Sequence, residues 1–168
     1  MGSDKARLRL GRWTLLGHVR RAAEATGKRV SVIRKDVVPR SGPLGGIYTG
    51  LVKCRAEAVL FLSCDMPLLT SALLLKVIAL GWQDRPAVFT KVRGKSGFPF
   101  IIRRDSFPLI RSAVDEADLS LQSLARRLRA RYFVPDAAEL GQLANINTPD
   151  ELEAVRRRIV EASGRKRK

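Results

Sequence analysis

The sequence predicts an α/β fold with three layers, in which helices cover both faces of an open, mostly parallel sheet. Apolar runs without alternation, such as Ala58–Ser63, are typical of strands that are buried on both faces. Stretches with apolar residues at helical spacing alternate with these runs, which is the order of βαβ units. The length of 168 residues suits one domain, which we assign to residues 1–163, followed by a basic tail at 164–168.

The elements are assigned in chain order from periodicity and from start and stop signals. Apolar residues three or four positions apart predict helices at 13–25, from 47 onwards, and at 69–80, 107–114 and 121–129. Runs of β-branched or apolar residues predict strands at 30–33, 37–38, 58–63, 86–92, 98–102, 132–134 and 144–147. The turn residues Gly94–Gly97 predict a hairpin, and Thr148 and Glu151 predict a capping box around Pro149 at the start of a last helix.

Composition excludes several classes of protein. The chain has two cysteines, Cys54 and Cys64, and one histidine, His18, so neither a zinc site nor a nucleophilic Ser-His or Cys-His centre is expected. We expect both cysteines to be small buried residues in a reducing compartment. The apolar runs are too short to cross a bilayer, so no membrane partner is expected and a cytoplasmic location is the default.

The formal net charge is +16, and half of this excess lies in residues 1–40, which carry eleven Lys or Arg against three Asp or Glu. Such a surface attracts phosphorylated small molecules or nucleic acid. A generally basic surface with a solvated tail explains the charge equally well. Aromatic residues make up only 6% of the chain and do not interleave with the basic ones, so nucleic acid is not the expected partner.

Four short segments suggest a specific chemistry: Met1–Lys5, Gly42–Gly46, Ser63–Pro67 and Asn145–Asp150. In this order, and with this spacing, they resemble the molybdenum-cofactor guanylyltransferases, and Gly97–Pro99 fits the same pattern. The resemblance implies a Rossmann-like nucleotidyltransferase fold. It also implies transfer of GMP from GTP to molybdopterin with release of pyrophosphate, with Mg²⁺ as cofactor. Further partners would be molybdoenzyme chaperones or other cofactor-biosynthesis proteins.

The implied reaction determines which residue types the site needs. The attacking phosphate is already an anion, so the site needs backbone amides, cations and a metal rather than a general base. By resemblance Asp65 binds the metal and, with Lys5, is catalytic, and Lys5 contacts the triphosphate. The same resemblance assigns the remaining nucleotide contacts to Gly2, Gly42, Pro43, Leu44, Gly45 and Gly46. It assigns the pterin contacts to Gly97, Phe98, Pro99, Asn145 and Asn147.

Each motif also has a purely structural interpretation. Taken alone, Asp65 in a turn before Pro67 favours a cap for a helix that begins near Leu68 or Thr70, and the other motifs favour the metal role. The glycines of 42–46 would serve as a turn into a helix, and Asn145 and Asn147 as polar turn residues before the Thr148 cap.

Three departures from the family pattern are expected to matter. The chain starts inside the segment that matches the family's first glycine loop, so we expect the family's first strand to be missing. Only residues 34–36 separate the first two predicted strands, which is too short for a crossover helix. Arg40 stands where the family has an aspartate that helps bind the nucleotide. A cytidylyltransferase or another nucleotidyltransferase of this fold is therefore the alternative function, followed by a non-catalytic remnant or a basic nucleic-acid-binding protein.

Overall fold

A computed structural model describes residues 5–80, 84–148 and 150–157 of the chain. The helices are Leu15–Glu24 (α1), Gly42–Lys53 (α2), Ser71–Ala79 (α3), Phe107–Asp115 (α4), Leu121–Arg127 (α5), Ala137–Leu140 (α6) and residues 150–157 (α7). The strands are Arg9–Leu10 (β1), Trp13–Thr14 (β2), Ala58–Phe61 (β3), Ala87–Val92 (β4), Lys95–Arg103 (β5) and Arg131–Phe133 (β6).

The main sheet has the strand order β3-β5-β4-β6. Strands β3, β4 and β6 run in the same direction, while β5 runs against its neighbours β3 and β4. The prediction of an α/β fold is therefore confirmed, but the prediction of a mostly parallel sheet is wrong: among the described strand pairs of this sheet, only β4 and β6 are parallel. The reason is the turn at Arg93 and Gly94, which both have positive φ (49° and 78°) and fold β5 directly back onto β4.

Helices cover both faces of this sheet. Helices α2, α4 and α5 pack on one face around the buried rings of Phe89 and Phe100, whose centroids are 4.6 Å apart. Helices α1 and α3 pack on the other face against Val88 and Ile101. Alternate residues of β4 and β5 thus face opposite helical layers, as a doubly covered sheet requires. The three-layer architecture predicted from the sequence is confirmed.

Three predicted strands are wrong for the described residues. Residues 30–33, 37–38 and 144–147 form no strand ladder there. The segment from Ile33 to Val38 instead lies against α2, where the Val37 N–H donates to Thr49 Oγ1 at 2.8 Å, while Val30 packs with the cluster on the other face of the sheet. The β-branched pattern favours an extended backbone, but a strand also needs a neighbouring backbone with which to pair. The small hairpin β1–β2, with Gly11 at φ 63°, was not predicted because two-residue strands carry no periodicity.

The predicted capping box of the last helix is confirmed. The Glu151 N–H donates to Thr148 Oγ1 at 3.2 Å, and the Thr148 N–H donates to Glu151 Oε2 at 2.9 Å. Among the described residues, none of the helices has both the length and the apolar character that crossing a membrane requires.

Two side-chain contacts join α3 to the segment that contains α6. Lys76 Nζ lies 2.6 Å from Glu139 Oε1, and Thr70 Oγ1 donates to Gln142 Oε1 at 2.7 Å. Glu139 is buried, and it also accepts from the N–H of Asp136 at 2.9 Å. The hydrogen bond from Lys76 and that from the Asp136 backbone hold the pKa of Glu139 below its usual value. These contacts fix the chain that leads to residues 144–147.

The lowered pKa of Glu139 predicts a pH dependence of stability. A carboxyl group with a lower pKa in the folded state adds stability above its unfolded pKa, and this stability is lost as the pH falls through the folded pKa. We expect the Glu139→Gln variant to be less stable than wild type at pH 7, with the difference shrinking below about pH 4.5. Urea unfolding between pH 7 and pH 3 measures this. Glu153→Gln, an exposed carboxylate beside Arg156, controls for the loss of charge. An equal difference at both ends of the range would contradict the prediction.

The close packing of α2 on β3 predicts a second stability effect. A Cβ added at Gly50 would lie 2.6 Å from Cε1 of the buried Phe61 ring. Alanine favours a helix over glycine by about 1 kcal/mol, but overpacking a core costs about 1–3 kcal/mol. We therefore expect Gly50→Ala to lower the free energy of unfolding. Gly141→Ala, where a Cβ meets nothing within 4 Å, is the matched control. A Gly50→Ala variant as stable as wild type would contradict this packing.

Candidate active site

Asp65 lies beyond the carboxyl end of β3, in the turn that leads to α3. Its Oδ1 atom is buried and has no hydrogen-bond partner among the described residues. The N-cap of α3 is Thr70, whose side chain accepts from the Leu73 N–H at 3.2 Å. Asp65 therefore does not cap this helix. An unpaired buried carboxylate oxygen is costly, so it indicates a position kept for a ligand.

The backbone of Asp65 joins this turn to the predicted pterin-binding segment. The carbonyl oxygen of Asp65 accepts from the Ile146 N–H at 2.8 Å, and Ile146 is fully buried. The flanking residues Asn145 and Asn147 are exposed beside it. Residues separated by about eighty positions in sequence are thus brought together. The asparagines also precede the Thr148 cap, so their structural role and a binding role are compatible.

Gly97–Pro99 lies at the same end of the sheet as Asp65. Phe100 pairs with Phe61, the last residue of β3, in an antiparallel register. The residues just before Phe100 therefore lie beside the chain that continues from β3 toward Asp65. Pro99 is buried, and its carbonyl oxygen accepts from Thr90 Oγ1 at 2.6 Å, which holds this segment against β4.

The predicted glycine loop is the first turn of α2. The prediction of a loop before a helix from residue 47 is wrong in this respect, because the helix starts at Gly42 with Pro43 in its first turn. Helix α2 leads through residues 54–57 into β3, so it starts at the edge of the sheet where β3 ends. Gly42 and Pro43 are exposed at this edge, with the positive end of the helix dipole there, whereas Leu44 is buried in the core, Gly45 is buried and Gly46 is half-buried.

Asp36 lies against the start of α2, which no sequence pattern indicates. A Cβ on Gly45 would lie 2.8 Å from Asp36 Oδ2 and 3.1 Å from the Val38 carbonyl oxygen. The space that the missing Cβ of Gly45 leaves is thus taken by the carboxylate of Asp36. The placement depends on how residues 34–40 fold back on α2, which is a tertiary feature. Arg40 is exposed with φ 57°.

The other predicted residues have less defined positions. Gly2 lies outside the described residues, and the backbone of Lys5 starts a 3-10 turn, Lys5–Arg7, while its side chain is outside the description.

Cys54 and Cys64 are half-buried, so the expectation that both are buried is too strong. The His18 ring contacts the Leu10 carbonyl oxygen through Nε2 at 2.8 Å. Within the described ranges, no three His, Cys, Asp or Glu side chains form a metal cluster.

Comparison with known proteins gives relatives of one kind. Residues 1–132 match the family model described as MobA-like NTP transferase domain. A protein of Flavobacterium johnsoniae named "Probable molybdenum cofactor guanylyltransferase" is 33% identical over 118 residues, which cover 70% of this chain and 62% of that protein. A protein of the same name from Bacillus licheniformis is 27% identical over 131 residues, which cover 73% of this chain and 66% of its own length. The match thus spans less than two thirds of these relatives.

The fold is found in a solved structure with low sequence identity. "Molybdopterin-guanine dinucleotide biosynthesis protein A" from Archaeoglobus fulgidus superposes with a TM-score of 0.73 at 17% identity, over 95% of this chain and 92% of that one. The family model matches well over half of the chain, and the carboxylate, the helix start and the asparagine segment meet at one edge of the sheet. The chain belongs to the family of MobA-like NTP transferase domains.

Proposed function

We propose that this protein transfers GMP from GTP to the terminal phosphate of molybdopterin, with release of pyrophosphate, as a cytoplasmic Mg²⁺-dependent enzyme. The single observation that carries the proposal is the buried, unpaired Oδ1 of Asp65 at the carboxyl edge of the sheet. The names of the relatives support guanine as the base and molybdopterin as the acceptor.

The donor set at Asp65 fits Mg²⁺. This ion is usually held by one or two carboxylates and completes its octahedron with water and substrate phosphates. A single carboxylate oxygen without a protein partner is thus a sufficient protein ligand when a nucleoside triphosphate supplies the remainder. Bound there, the ion would neutralise negative charge on the triphosphate.

The residues around Asp65 would hold the two anionic substrates. The positive end of the α2 dipole would favour a phosphate group there, although the Gly45 N–H is already bonded to the Ser41 carbonyl oxygen and Asp36 lies against Gly45. Lys5 would add a positive charge on the triphosphate. Asn145 and Asn147 present amide groups beside Asp65, and Gly97–Pro99 lies along the same edge, where both segments would contact the pterin. The attacking phosphate needs no proton removed, so the chain provides orientation and charge.

The positions of Asp36 and Arg40 bear on base selection. Asp36 approaches the helix start at Gly45 and Gly46, while Arg40 is exposed. A carboxylate near the helix start can accept hydrogen bonds from an amino or imino group of a base, and guanine offers both. We infer that Asp36 substitutes here for the aspartate that the family has at the position of Arg40.

The metal assignment predicts the effect of Asp65→Asn on nucleotide binding. Replacing the carboxylate by an amide removes the metal ligand and keeps the side-chain size. We expect wild type to bind GTP more tightly with Mg²⁺ than with EDTA, and the variant to lose this difference, at least about tenfold in affinity. Titration calorimetry measures it. Asp115→Asn, which removes an exposed carboxylate of α4, is the matched control.

The same titrations distinguish the alternatives. Tighter binding of CTP than of GTP would indicate the cytidylyltransferase alternative. An Mg²⁺-dependent affinity that Asp65→Asn leaves unchanged would contradict the metal assignment. The absence of GMP transfer to molybdopterin by a chain that binds GTP normally would favour the non-catalytic remnant.

The buried, unpaired Oδ1 atom of Asp65 also predicts a stability effect. Without metal, this oxygen has no hydrogen-bond partner among the described residues, and an oxygen of a neutral amide costs less to bury than one of a carboxylate. We therefore expect Asp65→Asn to raise the melting temperature in EDTA by a few degrees, although it abolishes stabilisation by Mg²⁺ with GTP. Thermal unfolding with and without Mg²⁺ and GTP tests this. A lower melting temperature in EDTA would show that Asp65 has a structural partner.

A further inference from the structure

A concave feature of the molecule lies at the edge strand of the sheet opposite β3. It is a cleft of about 360 Å³ between the end of α5 and the start of β6. Four arginines line it: Arg85, Arg126, Arg129 and Arg131. In the strand order β3-β5-β4-β6, three strand spacings, about 14 Å, separate β3 from β6. A ligand in this cleft would not touch the Asp65 site.

The charge of the cleft is largely uncompensated. Arg85, Arg126 and Arg129 form no ion pair with any residue in the described ranges. Arg131 does have contacts, since one of its nitrogens donates to the Leu80 carbonyl oxygen at 2.6 Å and another lies 3.9 Å from the exposed Asp84 carboxylate. None of the described residues that line the cleft is acidic. Converging guanidinium groups without counter-charges repel each other, so this arrangement favours an anion.

The arginines of α5 differ in whether they have a counter-charge, as the neighbouring Arg127 shows. Its guanidinium contacts Glu116 Oε2 at 2.6 Å and Asp118 Oδ2 at 3.1 Å. The arginine that faces α4 is thus neutralised by the protein, whereas Arg126 and Arg129 are not. The arginines at the end of α5 therefore differ in their surroundings: one is paired with carboxylates of the chain, and two line the cleft without such a pair.

Arg129 occupies its position at a conformational cost. It has φ 46° and follows the end of α5, where the Ala130 N–H bonds to the Ala125 carbonyl oxygen at 3.0 Å. This is the position of a Schellman turn that glycine normally occupies, because a Cβ is disfavoured at positive φ. Arg129 thus lines the cleft at a position where glycine would suit the backbone better.

An aromatic ring in contact with a lysine also lines the cleft. Tyr132 lines the cleft and is half-buried, and Lys91 Nζ lies 4.5 Å from the centroid of its ring. The side chains of Ala125 and Ala130 leave room between the arginines. A volume of this size suits a small ligand rather than a groove for a nucleic-acid strand.

We propose that this cleft binds a compact anion with two or more phosphate groups, at a site separate from the Asp65 site. Arginine forks bind phosphate oxygens in pairs, and three unpaired arginines match the charge of a diphosphate or a triphosphate. Free polyphosphates and the phosphate groups of nucleotides share this chemistry. The proposal does not depend on the function proposed for the Asp65 site.

Calorimetry with inorganic pyrophosphate in EDTA, with the full chain at low salt, tests the proposal. We expect binding to wild type that is at least tenfold weaker in Arg126→Gln/Arg129→Gln. It should be unchanged in Arg20→Gln/Arg111→Gln, which removes two arginines that pair with acidic residues elsewhere. Phosphate and adenosine diphosphate, titrated in the same way, distinguish free polyphosphates from nucleotides as the source.

A single substitution separates binding from folding. Arg129→Gly relieves the positive φ, so we expect a higher melting temperature together with weaker pyrophosphate binding. No binding to wild type, or an equal loss in the control pair, would overturn the proposal. It would also be overturned if a single-stranded RNA oligonucleotide bound through these arginines while pyrophosphate did not.

Discussion

The backbone pairing of β5 with both β3 and β4 is the constraint on which the rest of the structure depends. β5 supplies Phe100 to one helical layer and Ile101 to the other, so the hydrophobic clusters on the two faces of the main sheet both include this strand. Its register also aligns Phe61 of β3 with Phe89 of β4 through Phe100. Phe61, Phe100 and Phe89 therefore lie side by side across the sheet. As a result, the segment that follows β3 and the segment that precedes Phe100 lie at the same edge. The candidate active site is a consequence of that alignment.

At this edge, a single long-range hydrogen bond joins the two halves of the site. The Ile146 N–H binds the Asp65 carbonyl oxygen, and the contacts of Glu139 and Gln142 with α3 fix the chain just before it. The backbone of Asp65 is therefore held while its side-chain oxygen is left without a partner. A metal ligand that binds its ion together with a nucleotide is expected to have this arrangement, in which the backbone is held and one carboxylate oxygen has no hydrogen-bond partner.

The sequence predicted the described helices other than α6, four strands of the main sheet and the Thr148 cap, because periodicity and capping are local properties. It placed the start of α2 too late, at residue 47 instead of Gly42. It failed at residues 30–33, where an extended pattern lacks a partner strand among the described residues, since pairing is a tertiary property. It could not reveal Asp36 at the start of α2, nor that Thr70 rather than Asp65 caps α3. Motif resemblance placed Asp65 at the correct edge, but only the fold showed that its Oδ1 is buried and unpaired.

The most direct test of the central claim is a crystal structure with Mg²⁺ and a non-hydrolysable analogue of GTP. A metal bound by Asp65 Oδ1 at about 2.1 Å, with phosphate oxygens completing an octahedron, is the predicted result. Density for the nucleotide with its metal held elsewhere, or with Asp65 Oδ1 accepting a hydrogen bond from the protein, would contradict the account.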